Sequence, residues 1–187
     1  MIDYNETIGA TILVVSSNKE IGKINEFIIN FETGKLLGFQ LSEGLLKEQR
    51  ILRIEDVKEI RDGNVFVDSE MSVKPLNNFG LFEELLKKEI KIKDNNVVTE
   101  SGEELGKVVD FEMDDISYRL EKMYVKTGFL RKLFKGQLII SFDKIVSISK
   151  KAIVVKDDLV REEQRKPVSA KLEQKEMISD VVMKDTE

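Results

Sequence analysis

Two stretches of the chain repeat one phrase: EIGKINEF at residues 20–27 and ELGKVVDF at residues 104–111. Each carries a carboxylate, a branched aliphatic, Gly-Lys, a β-branched residue, and then an acidic residue followed by Phe. Internal self-similarity restricts the fold to one supersecondary unit built more than once. Sliding the chain against itself by 84 sets residues 13–27 on 97–111, Leu36 on Leu120, Leu41 on Val125 and residues 44–47 on 128–131. Copy two then holds four extra residues. At an offset of 88, residues 49–60 fall on 137–148 and 64–67 on 152–155. Several matches in one order, with one small insertion, identify a duplication.

Each copy reads as short strands divided by turn chemistry. ATILVV is rich in β-branched residues and ends at the polar SSNK. INEFIINF follows, with Phe27, Ile29 and Phe31 on one parity, the period of a strand. ETGK is a Gly-containing turn leading into LLGFQL, and RILRI is a further strand. Asp62-Gly63 is favoured in a two-residue hairpin, because both positions tolerate positive φ. In copy two, Ser149-Lys150-Lys151 stands in that place, which predicts a longer or looser connection. Gly22 and Gly106 serve backbone shape on this reading, and Phe27 and Phe111 serve core. The fold class is mainly β: two small, mostly antiparallel barrels in tandem, with closure hiding the strand edges.

The expected division is residues 1–75 for the first repeat, 76–91 for a linking helix, 92–156 for the second repeat and 157–187 for a charged tail. In the linker, Leu81, Leu85 and Leu86 recur at helical spacing with Phe82 beside them. Glu83 and Glu84 come early and Lys87 and Lys88 late, as a helix dipole favours. A helix of about two turns, packed on a barrel, is the result. The tail is Gly-free and broken by Pro167, and reads as disordered or partly helical.

Composition limits the chemistry such a scaffold can carry. The chain has no Cys, His or Trp. Thiolate nucleophiles, Cys-ligated metals and Ser-His triads are therefore excluded. Residues 1–75 carry 9 basic and 13 acidic side chains, and residues 76–155 carry 14 and 13. With a net charge of -5, the whole chain is not a bulk nucleic-acid binder. Neither a signal peptide nor an 18-residue apolar run is present, which points to a cytoplasmic protein.

The combination of Ile21-Gly22-Lys23-Ile24, Ile54-Glu55-Asp56-Val57, Leu105-Gly106-Lys107-Val108 and Phe142-Asp143-Lys144-Ile145 resembles the PRC-barrel superfamily. The resemblance covers about residues 8–70 and 92–156. Members include the cytoplasmic domain of the photosynthetic reaction-centre H subunit and the C-terminal domain of the ribosome maturation factor RimM. The resemblance implies a small β-barrel in each copy and a binding or docking role, with no catalytic residues to carry over. The chain departs from both named members: no transmembrane segment is expected, unlike the reaction-centre subunit, and two similar units stand in place of the ribosome factor's extra N-terminal barrel.

Three local features invite chemistry. Gly-Lys in each phrase is followed by Ile or Val in a strand, so it is no P-loop. Glu112, Asp114 and Asp115 form an acidic cluster whose spacing is not that of an EF-hand; turn polarity accounts for it, and no metal or cofactor is expected. GFLRKLFKGQ, residues 128–137, interleaves Phe129, Leu130, Leu133 and Phe134 with Arg131, Lys132 and Lys135 at the insertion that distinguishes copy two. Either its apolar residues cover a barrel end with the bases reaching outward, or Phe129, Arg131, Lys132, Phe134 and Lys135 touch a partner. The function expected is a non-enzymatic binding or adaptor protein acting through protein–protein contacts. The alternative is an RNA- or ribosome-associated factor with those bases on phosphate, and the third reading is peripheral membrane-surface association through the same loop.

Overall fold

β-Branched and aromatic residues at alternating positions give the chain its strands, and the turns fall where the sequence breaks that alternation. A computed structural model of the chain describes residues 1–42, 49–127 and 137–158. Residues Met1–Lys156 pack as one unit. The strands run β1 (Ile2–Asp3), β2 (Thr11–Val14), β3 (Glu20–Asn30), β4 (Lys35–Leu41), β5 (Arg50–Arg53), β6 (Val57–Arg61), β7 (Asn64–Val67) and β8 (Val73–Pro75) through the first repeat. The second repeat holds β9 (Asn96–Thr99), β10 (Glu104–Met113), β11 (Leu120–Thr127), β12 (Gln137–Ser141), β13 (Ile145–Ile148) and β14 (Ile153–Val155). A short helix α1 (Tyr4–Thr7) follows β1, and α2 (Gly80–Lys87) lies between the repeats.

The first repeat forms a sheet in the order β6-β7-β2-β3-β4-β5-β8, and the second forms β12-β11-β10-β9-β14-β13. Both sheets are mixed, because β2 runs parallel to β7 and β9 runs parallel to β14. Every other pairing is antiparallel, as expected. Among the described residues no ladder joins the terminal strands, so the expected closed barrels are two mixed sheets here. The chain breaks its ladder where β5 passes into β6 through a 3-10 turn, Ile54–Asp56, and again where β12 passes into β13 through Phe142–Lys144.

Turn chemistry set the hairpins as expected. Asp62 and Gly63 both have positive φ, 51° and 68°, and make a two-residue turn between β6 and β7. The corresponding turn in copy two takes residues 149–152, with the Ser149 hydroxyl accepting from the backbone N–H groups of Lys151 and Ala152. The 84 offset fails before the repeated phrase. Ile12 lies opposite Gly22 and Val65, and its counterpart Val97 lies opposite Gly106 and Ile153. That is an offset of 85: copy two has one residue fewer in the turn after its first strand, and keeping the apolar parity inward moves the register.

The two phrase glycines do different work. Gly106 has φ +144° at a bulge in β10, and a Cβ there would lie 2.2 Å from the Lys126 carbonyl oxygen. A Cβ at Gly22 would meet only the Leu41 side chain closely, at 2.6 Å. Gly106 is thus required by backbone, and Gly22 by a neighbouring side chain.

The repeats join about a local two-fold relation. Leu36 N–H donates to the Tyr118 carbonyl at 2.8 Å, and Leu120 N–H donates to the Gly34 carbonyl at 2.8 Å. Each partner is the other's counterpart at offset 84, as are Lys35 and Arg119, which form an antiparallel bridge between the sheets. Residue i meets j where j meets i, the mark of an isologous contact. Gly34 and Tyr118 share a left-handed backbone, with φ of 69° and 55°. The ring of Phe142 lies across Gly34, 2.6 Å from where a Cβ would stand. A larger residue at Gly34 would have to displace that ring and hold a left-handed backbone.

The segments preceding each repeat cross over. β1 pairs with β10 of the second repeat, Ile2 opposite Met113 and Asp3 opposite Glu112. α2 packs on β3 of the first, where Phe82 and Leu85 join Ile28, Ile51 and Leu76 in a buried cluster. Leu81, expected on the apolar side, is 53% exposed. The buried stripe runs through Phe82 and Leu85, with Leu86 half-buried beside them, one step round the helix.

Candidate functional site

The residues singled out in the sequence, Phe129, Arg131, Lys132, Phe134 and Lys135, lie outside the described residues, as does the tail from residue 159. The described residues hold a different candidate. A groove of about 710 Å³ runs between β3 and the end of α2. Leu76, Leu85, Leu86 and Ile90 give it an apolar wall, and residues 25–29 give it a second wall along β3.

α2 builds this site because its buried stripe sits on the outer face of β3 and β5. Ile28 and Ile51 carry that stripe and are almost fully buried. Their counterparts in the second repeat are Glu112 and Ile139, and there Ile139 is 54% exposed. Glu112 accepts from the Tyr124 hydroxyl and pairs with Lys122 at 3.0 Å. Burial works to raise the Glu112 carboxyl, but the hydrogen bonds from Tyr124 and Lys122 outweigh it and hold the group below its ordinary value. One repeat is apolar where a helix covers it, and the other is polar.

The groove rim is a set of opposite charges. Lys87 pairs with Glu83 at 3.4 Å, Lys91 with Glu26 at 3.3 Å, and Lys150 with Glu89. Glu26 also accepts from the Tyr4 hydroxyl at 2.9 Å. Tyr4 reaches it from α1, with its ring tilted against Phe27 and Phe111 at centroid distances of 5.1 and 4.6 Å. Burial, with the Glu26 carboxylate beside it, pushes the Tyr4 hydroxyl well above its usual range. It stays a neutral donor at any physiological pH. Burial likewise raises the Asp3 carboxyl, against the hydrogen bond from the Glu6 N–H, and the Asp110 carboxylate adds to the rise.

The acidic cluster is used structurally, with Asp115 pairing with the Met1 amine at 2.7 Å. Asp114 Oδ1 accepts from the Ile116 and Ser117 N–H groups at 3.3 and 2.6 Å, shaping the β10–β11 turn as Asn30 shapes the β3–β4 turn. Among the described residues no group of acidic side chains is placed to hold a metal ion, and no helix is long and apolar enough to cross a membrane.

With two mixed sheets built on the repeated phrase, a comparison with known families decides the membership. The PRC-barrel domain model matches residues 1–71 and again residues 91–160. The chain belongs to the PRC-barrel domain family. Its two PRC-barrel units are the two sheets described above, and the groove is bounded by the first unit, by the segment that leads into the second, and by Lys150 of the second. A search of curated proteins finds no match to the chain.

The groove residues were missed from sequence, yet a signal for them was present. Phe27-Ile28-Ile29 is a continuous apolar run, which a strand shows when both faces are covered, whereas Phe111-Glu112-Met113 alternates. Comparing the two copies at that position identifies the face that takes α2.

Proposed function

We propose that this PRC-barrel protein is a non-enzymatic binding or adaptor protein acting through protein–protein contacts, with the groove beside α2 as a docking site. The observation that carries the reading is the groove's construction: an apolar wall of Leu76, Leu85, Leu86 and Ile90 inside a rim of Lys–Glu pairs. Apolar centres with polar rims are how proteins recognise one another. The rim charges cancel in pairs, which supports a protein partner over a phosphate backbone, since phosphate affinity needs unpaired cations.

Affinity capture from the source cell tests this with three chains: the natural one, Ile90→Arg, and a triple variant with Arg131, Lys132 and Lys135 changed to Glu. Proteins held by the natural chain and the triple variant, and lost with Ile90→Arg, are the expected result. Recovery of RNA lost only in the triple variant would replace this reading with the RNA-associated one.

A further inference from the structure

The edge of β3 along the groove is unoccupied by any described strand, while the equivalent edge of β10 is taken. β2 pairs with β3 through residues 11–13 against Glu20, Gly22 and Lys23. Among the described residues, β4 alone pairs with residues 26–30, on the other side. In the second repeat β9 likewise pairs with β10 only as far as Lys107. There β1 takes over the edge, at Glu112 and Met113. The counterparts of those two residues are Ile28 and Ile29, and both line the groove.

Residues 25–29 all line the groove in succession. The register of β3 shifts between Ile28 and Ile29, and the groove runs along the strand on both sides of that shift. The two edges are built alike up to the point where β1 joins one of them. Phe27 N–H is met by the Glu26 carboxylate at 3.1 Å, and Phe111 N–H by the Asp110 carboxylate at 2.9 Å.

We propose that the β3 edge at Ile28 and Ile29 is a strand-addition site, which takes an extended segment of a partner protein antiparallel to β3, as β10 takes β1. This rests on the adaptor reading and specifies its mode. Main-chain hydrogen bonds supply affinity in such pairing, and side-chain pockets supply selectivity. Ile2 is 3% exposed on β10, so the segment carries a branched apolar residue in that place. Asp3 lies opposite Glu112, but its counterpart partner here is the buried Ile28, with Leu86 and Ile90 close by in the groove wall. The adjoining residue of the segment is therefore also apolar. A strand with two successive apolar residues, flanked by polar ones that meet the Lys–Glu rim, fits the groove.

The test is a titration of the full ¹⁵N-labelled chain with an octapeptide copying residues 1–8 and carrying Asp3→Val. Two further versions are methylated on alternate backbone nitrogens, so that each blocks one edge of the peptide. The parent peptide is expected to shift amides of residues 25–31 and 86–90. One methylated version is expected to lose roughly tenfold or more in affinity, the cost of lost main-chain bonds, while the other keeps it. Ile90→Trp, which fills the groove, is expected to remove the shifts. Equal binding of both methylated versions overturns strand addition but leaves the groove as a docking site. No shift at millimolar peptide overturns the strand-addition site, with the capture experiment still deciding the adaptor reading. Concentration-dependent self-association that the peptide disrupts assigns the edge to a second copy and overturns the partner assignment.

Discussion

Phe27 and Phe111, the closing residues of the two repeated phrases, meet edge to face, with ring centroids 5.7 Å apart and planes at 85°. Counterpart residues touch only at a two-fold relation, so this pair places the junction of the repeats within the core. Phe39 and Tyr4 complete the cluster against the same rings. The repeated phrase therefore joins the two copies in the core, as the Gly34–Leu36 and Tyr118–Leu120 segments join them through the backbone.

Truncating either ring should destabilise both repeats at once. Phe27→Ala or Phe111→Ala is expected to cost about 3–5 kcal/mol. The double variant should cost less than the sum, by about 0.5–1.5 kcal/mol for an aromatic pair. Urea unfolding followed by tyrosine fluorescence and by far-ultraviolet dichroism should give one shared transition. Two transitions, with one left in place, would show that the repeats are independent.

The two phrase glycines should respond unequally to a methyl group. Gly106→Ala forces a Cβ against the Lys126 carbonyl and keeps a left-handed φ, so the backbone has to move. Gly22→Ala asks only that the Leu41 side chain turn aside. The melting temperature of Gly106→Ala is expected to fall by several degrees more than that of Gly22→Ala. Equal losses would contradict the assigned roles.

On α2, Phe82→Ala is expected to cost about 3–5 kcal/mol and Leu81→Ala no more than about 0.5 kcal/mol. Thermal melts of the two variants check the face of the helix that is buried. A large loss at Leu81 would place the helix one step round from its described position.

Two carboxylates should act on stability with opposite signs. Asp3 titrates above its ordinary value of 3.8 in the folded chain, so its contribution falls as pH rises through that window. Asp3→Asn keeps the cap to the Glu6 N–H and is expected to raise the melting temperature at pH 7 but not at pH 3. Glu112 titrates below 4.5 when folded, so its contribution is present above 4.5 and lost as pH falls through the folded value. Glu112→Gln should lower the melting temperature at pH 7 and have little effect at pH 3. The same sign for both variants would contradict the assignment.

Much of this architecture could be read from residues alone, because it depends on local chemistry. Asp62-Gly63 specifies its turn wherever it is placed, and the parity of Phe27 and Ile29 specifies an inward face. The failures are non-local. β1 is too short to carry a period, so nothing in Ile2-Asp3 announces that it pairs with the second repeat. Ladder closure depends on strands far apart in sequence, and the rhythm of five or six strands is the same for an open sheet and a closed barrel. The groove depends on which repeat α2 covers, and only the contrast between Ile28 and Glu112 records that choice.

The docking role is tested most directly by site-specific photo-crosslinking in the source cell, with a benzophenone amino acid placed at Ile90 in the groove wall and, as control, at Lys58 on β6, outside it. The expected result is protein adducts from Ile90 and none in common with Lys58. RNA adducts in their place, or the same adducts from both positions, would contradict a protein-docking groove beside α2.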